Sequence, residues 1–173
     1  MRYWMVAAAM VCANPASAQV ALTSGQGVSI AIAADGEVET GKPHPAALGP
    51  HDLEALDQMR IAYQSIPQTE GVLPAVAMNP GDHPMPGIIA GKIEIAFVVI
   101  GDKDSVLVVL NGYELALVYR ARITVRGKTG PTDVCLVMPG KRGYEHWPYA
   151  IERIELTALT LVDWSPEDGI TCK

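Results

Sequence analysis

Two short stretches carry the residue types that do chemistry. In Met78-Asn-Pro-Gly-Asp-His-Pro-Met85 two thioethers, Met78 and Met85, flank the imidazole of His83. Soft sulfur with imidazole suits copper(I). These three are therefore the candidate metal ligands, with copper as the cofactor they would hold and His146 as a further donor. The competing reading is a proline-stiffened surface loop whose methionines pack on the core. The second stretch is Tyr144-Glu-His-Trp-Pro-Tyr149. Five of its six residues are aromatic, imidazole or carboxylate, in a chain with only 6% Phe, Trp and Tyr. Aromatic side chains on a loop of a rigid scaffold make binding hot spots. Tyr144, Glu145, His146, Trp147 and Tyr149 are thus the candidate partner-binding residues. The competing reading is that Trp147 plugs the core and His146 bonds to the backbone.

Catalytic signatures are missing. There is no Gly-x-Ser-x-Gly, no His-Glu-x-x-His, no P-loop and no dinucleotide fingerprint. His51 and Asp52 are adjacent in sequence, which does not make a dyad. Glu145 beside His146 has no visible nucleophile. A small hydrolase with an unrecognised site is the third-ranked expectation, and no catalytic residue is assigned. Cys135 and Cys172 are the two cysteines that follow the leader described below. Their number is even and their spacing fits no zinc pattern, so they predict a disulfide.

These residues need elements to hold them. Gly91–Arg126 reads as an antiparallel meander. Asn111-Gly112 between two apolar runs signals a type I′ hairpin, which would set Leu110 against Tyr113 and Val108 against Leu115. A four-residue loop, Gly101–Asp104, would then set Phe97 against Val108 and Ile95 against Leu110, giving one apolar face. Val28–Ala33 alternates as a strand, with Glu37–Glu39 pairing back. Asp52–Ser65 repeats Leu53, Leu56, Met59, Tyr63 and Ile66 at helical spacing, bracketed by Pro50 and Pro67. Residues 70–91 are rich in Pro and Gly. Thr132–Met138 reads as a strand and Lys141–Tyr149 as a loop. Ile151–Val162 is a strand whose apolar phase shifts, placing a bulge near Thr157. Ile170–Cys172 is a short last segment.

The chain of 173 residues opens with a basic Met1-Arg2, an apolar run to Cys12 and Ala16-Ser-Ala18. That pattern predicts a signal peptide over 1–18, with Gln19 as the mature start. Cys12 would be a lipidation site only if cleavage fell earlier, after Val11. Residues 19–173 then make one globular domain: an N-terminal strand, helix and Pro/Gly segment (19–90) and a β-sheet core (91–173). No apolar run in it reaches membrane-spanning length. Net charge is −6, with no basic patch along the sequence, so nucleic acid and anionic lipid are poor partners. The composition predicts a mainly β chain, an antiparallel β-sandwich of immunoglobulin-like or related type with one N-terminal helix. An α+β sheet with the helix on one face is the alternative. The functional expectation is a periplasmic or secreted non-enzymatic protein that binds a partner protein or an envelope component.

Overall fold

The computed structural model describes residues 19–65 and 87–173, with residues 62–65 described by their backbone alone. The expected leader and the Met78, His83 and Met85 ligand set lie outside these residues, as does Ile66. The strands are β1 (Val20–Leu22), β2 (Gln26–Ile32), β3 (Val38–Thr40), β4 (His44–Pro45), β5 (Ile93–Ile100), β6 (Asp104–Asn111), β7 (Ala116–Val125), β8 (Lys128–Thr132), β9 (Arg142–Trp147) and β10 (Arg153–Val162). One helix, α1 (Pro50–Ser65), follows β4. The strands form two antiparallel sheets, a four-stranded one in the order β1-β10-β7-β8 and a larger one in the order β3-β2-β5-β6-β9, with β4 on β2. Among the described residues the molecule is a mainly β sandwich with one α-helix. Its strand order differs from the immunoglobulin arrangement, which sets strands 1-2-5-4 against 3-6-7.

Alternation builds the shared core. Val28, Ile30, Ile93, Ile95, Phe97, Leu107 and Val109 of the larger sheet meet Leu22, Leu117, Tyr119, Ala121, Ile154 and Leu156 of the smaller one. β1 and β2 enter different sheets, so the N-terminal segment is built into the same core as the residues after 91.

The expected meander is corrected at both turns. The first connection is one residue shorter than expected: Ile100 stands opposite Asp104, Phe97 opposite Leu107 and Ile95 opposite Val109. A shift of one residue flips a strand's side chains to the other face. Val106, Val108 and Leu110 therefore face away from the sandwich and take Leu56 of α1 into a second cluster, with Met59, Ile88, Ala96, Ile100 and Tyr144 around it. β6 is apolar on both faces, so its pattern admits either register.

The second correction is larger. Asn111-Gly112 is not a hairpin turn; it carries the chain from one sheet to the other, so β6 pairs with β9 and β7 with β10 and β8. Asn111 is buried, and its side chain holds the corner. Nδ2 donates to the carbonyls of Leu115 (2.8 Å), Val137 (3.2 Å) and Met138 (3.2 Å), and Oδ1 accepts from the Tyr113 amide (3.1 Å). Gly112 is required by contact: a Cβ there would lie 1.8 Å from the Ile89 carbonyl oxygen. The two-residue hairpin with both φ values positive is Arg126-Gly127 (50° and 71°), between Val125 and Lys128. β8 therefore begins at Lys128, earlier than the expected strand 132–138, and between β8 and β9 the chain makes only isolated bridges, Leu117 to Val137 and Cys135 to Cys172.

The helix starts at Pro50, a favoured first position, and the Asp52 carboxylate accepts the Gly49 amide (2.8 Å) as an N-terminal cap. Its buried stripe is Asp52, Ala55 and Leu56, while Leu53, expected inside, is 47% exposed. The β10 bulge falls between Thr157 and Thr160, with Ala158 at φ 52°, as the phase shift predicts.

Candidate functional site

The aromatic stretch is a strand where a loop was expected. Residues 142–147 pair along β6 as the last strand of the larger sheet. Alternation then sorts their chemistry. Arg142, Tyr144 and His146 share the side that carries Val106, Val108 and Leu110, beneath α1. Gly143, Glu145 and Trp147 point into the sandwich.

On the helix side two carboxylates tie three elements together. Asp52 of α1 accepts from Arg142 Nη1 (2.7 Å) and from the Tyr144 hydroxyl (2.9 Å). Burial pushes the Tyr144 phenol up to about 12, with Arg142 opposing and Asp52 adding to the rise. Asp104, at the start of β6, receives Arg60 Nη2 on one oxygen (2.6 Å) and sits 2.6 Å from His146 Nε2 with the other. The Arg60 hydrogen bond holds the Asp104 carboxyl below its ordinary value against the opposing effect of burial, with His146 helping. The same contact raises Arg60 further.

On the sandwich side the Glu145 carboxylate accepts the Cys135 amide (2.5 Å) and lies 3.5 Å from the Tyr119 hydroxyl. Burial pushes its pKa up to about 7; those two hydrogen bonds pull it down and the nearby Asp133 raises it. The Tyr119 phenol is held well above its usual range by burial and by Glu145. Trp147 is 7% exposed and donates its indole N–H to the Thr132 hydroxyl (2.9 Å). Sequence reasoning weighed this core role for Trp147 and missed Arg60, Asp104 and Arg142 altogether. A carboxylate in the first turn of a helix is a favourable local charge, but the partners of Asp52 come from β9, 90 and 92 residues away.

The chain leaves β9 at Pro148 and turns outward at Tyr149, which is 41% exposed. Tyr149, Ala150, Ile151 and Glu152 meet Asp102, Val125 and Arg126 around a shallow groove at one end of the sandwich. Its loops are fixed from below. The buried Ser105 hydroxyl donates to the Tyr149 carbonyl and accepts the Ile151 amide, both at 2.9 Å. Glu152 Oε1 accepts the Gly127 amide (3.1 Å), and its own amide donates to the Thr124 carbonyl (2.9 Å).

Other clusters are poorer. Ser29 donates to Glu94 (2.5 Å), and His44 stands 4.0 Å from the other Glu94 oxygen. The carboxylate is thus the central member, whereas activation of a serine needs the imidazole there. Among the described residues no group of three His, Cys, Asp or Glu side chains converges as a metal site. Cys135 and Cys172 lie at disulfide distance, with Sγ atoms 2.00 Å and Cα atoms 3.9 Å apart. No family model, curated protein or solved structure matches the chain.

Proposed function

We propose that the protein is an exported, non-enzymatic β-sandwich, periplasmic or secreted, that binds a partner protein or envelope component through the groove at Tyr149. The observation that carries the reading is an exposed tyrosine on a loop whose backbone is bonded on both sides of the side chain, at the Tyr149 carbonyl and the Ile151 amide. An aromatic group presented on a rigid base loses little entropy on binding. The groove adds the edge of Val125 and charges of both signs, from Asp102, Arg126 and Glu152. The polar residues of β9 support the same division of labour, since Arg142 and Tyr144 engage Asp52, His146 engages Asp104 and Glu145 engages the Cys135 amide, holding the helix and the 133–137 segment. The cysteine pair supports an oxidising compartment.

The test is a photo-crosslinking amino acid at position 149 in the producing cell, with the same group at Glu39 on β3 as the control. The expected result is a discrete adduct from position 149 that Arg126→Glu abolishes while leaving the melting temperature unchanged. The same adducts from both positions, or none from 149, would refute the reading.

A further inference from the structure

The β7–β8 hairpin concentrates charge that the sequence spreads out. Between Arg120 and Thr132 lie four cationic side chains, Arg120, Arg122, Arg126 and Lys128, and no carboxylate, although Asp and Glu outnumber Lys and Arg by 19 to 13 over the chain. Tyr119, Ala121 and Ile123 are buried, so Arg120 and Arg122 between them project, exposed, from the outer face of the four-stranded sheet. Arg120 stands opposite Thr157 and Arg122 opposite Glu155. That one carboxylate is already bound by Arg153 Nε at 3.1 Å. Among the described residues Arg120 and Arg122 make no ion pair. The helix packs on the other sheet. A reading along the sequence finds no basic patch because the members of this one alternate with core residues.

We propose that this outer face docks on an anionic phospholipid bilayer, with Arg120 and Arg122 taking headgroup phosphates. Guanidinium forks match phosphate oxygens better than point charges do. The face is an open sheet surface with threonines beside its arginines, Thr124 bonded to Thr129 (2.8 Å) and Thr157 across from Arg120. It offers none of the aromatic anchors that carry a protein–protein interface, nor the enclosing cleft that a small ligand needs. A bilayer repeats its phosphates in every direction. Two arginines spaced two residues apart on a strand, roughly 7 Å, each find one without a fixed register. The acidic remainder of the chain orients the molecule, since an anionic surface attracts this face and repels the others.

The test is co-sedimentation of the purified protein with phosphatidylcholine vesicles, with and without one-third phosphatidylglycerol. Binding should require the anionic lipid and vanish near 1 M salt, where charges are screened beyond about 3 Å. Each arginine near an anionic membrane surface contributes roughly a fivefold gain in partitioning. R120Q/R122Q should therefore bind about 25-fold more weakly, and R120E/R122E more weakly still, with melting temperatures unchanged. K42E/K92E, at two exposed lysines elsewhere, matches the net-charge change of R120E/R122E and should bind almost as the parent does. Four outcomes overturn the proposal: no dependence on phosphatidylglycerol, equal losses in R120E/R122E and K42E/K92E, displacement by millimolar inorganic phosphate, which marks a free-anion site, or capture of poly-glutamate with no capture of vesicles, which marks an acidic protein partner.

Discussion

Glu145 is the residue whose surroundings most alter its chemistry. Its carboxyl lies inside the sandwich, and its pKa rises from 4.5 to about 7. A raised carboxyl pKa means that the folded protein binds this proton more tightly than the unfolded chain does. Stability from this group is fully present below the unfolded value, declines as pH rises from about 4.5 to about 7, and is level above that. Full expression of the shift corresponds to about 3 kcal/mol. Glu145→Gln keeps an oxygen for the Cys135 amide and removes the charge. The variant should match the parent near pH 4, exceed it at pH 8, and lose the slope that this group contributes between them, as denaturant unfolding at a series of pH values would record. The sequence places Glu145 in a conspicuous cluster. It gives no sign that alternation sends this carboxylate inward with Trp147 while Arg142, Tyr144 and His146 go to the helix.

At the scale of elements, the helix, the alternating strands and the β10 bulge are legible because each is encoded in a run of adjacent residues. The pairing of β6 is not. Asn-Gly has the composition of a hairpin turn, yet Asn111 spends its amide on three carbonyls from two segments, and Gly112 is there because the 87–92 loop crosses it. Both causes are tertiary. Arg126-Gly127 makes the two-residue turn with a less typical first residue, at φ 50°. Gly112→Ala should therefore cost about 1–3 kcal/mol through overpacking against backbone that cannot swing aside. Thermal melts read the loss directly, and hydrogen exchange should place it in the 87–92 segment as well as at the corner. A strained-turn origin would confine it to residues 111–113. The expected contacts of Leu53 fail for a related reason: the Asp52–Arg142 pair, formed between distant segments, sets which stripe of the helix faces the sheet.

At the scale of the molecule, the disulfide prediction from sequence agrees in position with the cysteine geometry. The last residues lie against 134–136 through the Val134–Lys173 amide exchange and the bond from the Leu136 amide to Thr171. A bridge across a sequence separation of 37 is worth about 4 kcal/mol in the chain-entropy model. Reduction, or the double variant C135S/C172S, should lower the unfolding free energy by that much in denaturant titrations, with the two treatments non-additive. The outward face of β7 and the groove at Tyr149 were hidden from a linear reading because each is assembled from several strands or loops.

The edge strand β1 pairs Val20 with Leu156 and Leu22 with Ile154 on β10. Among the described residues the first strand therefore waits for the last. During synthesis, or passage through a narrow channel from the N-terminus, residues 20–22 can form no native ladder until more than 130 residues have followed. Closing such distant pairs is entropically slow, which puts assembly in the millisecond-to-second range of other nonlocal β proteins. Until then β1 and β7 expose unpaired edges open to other chains. The same architecture makes the arrival of β10 the event that commits the sandwich to close.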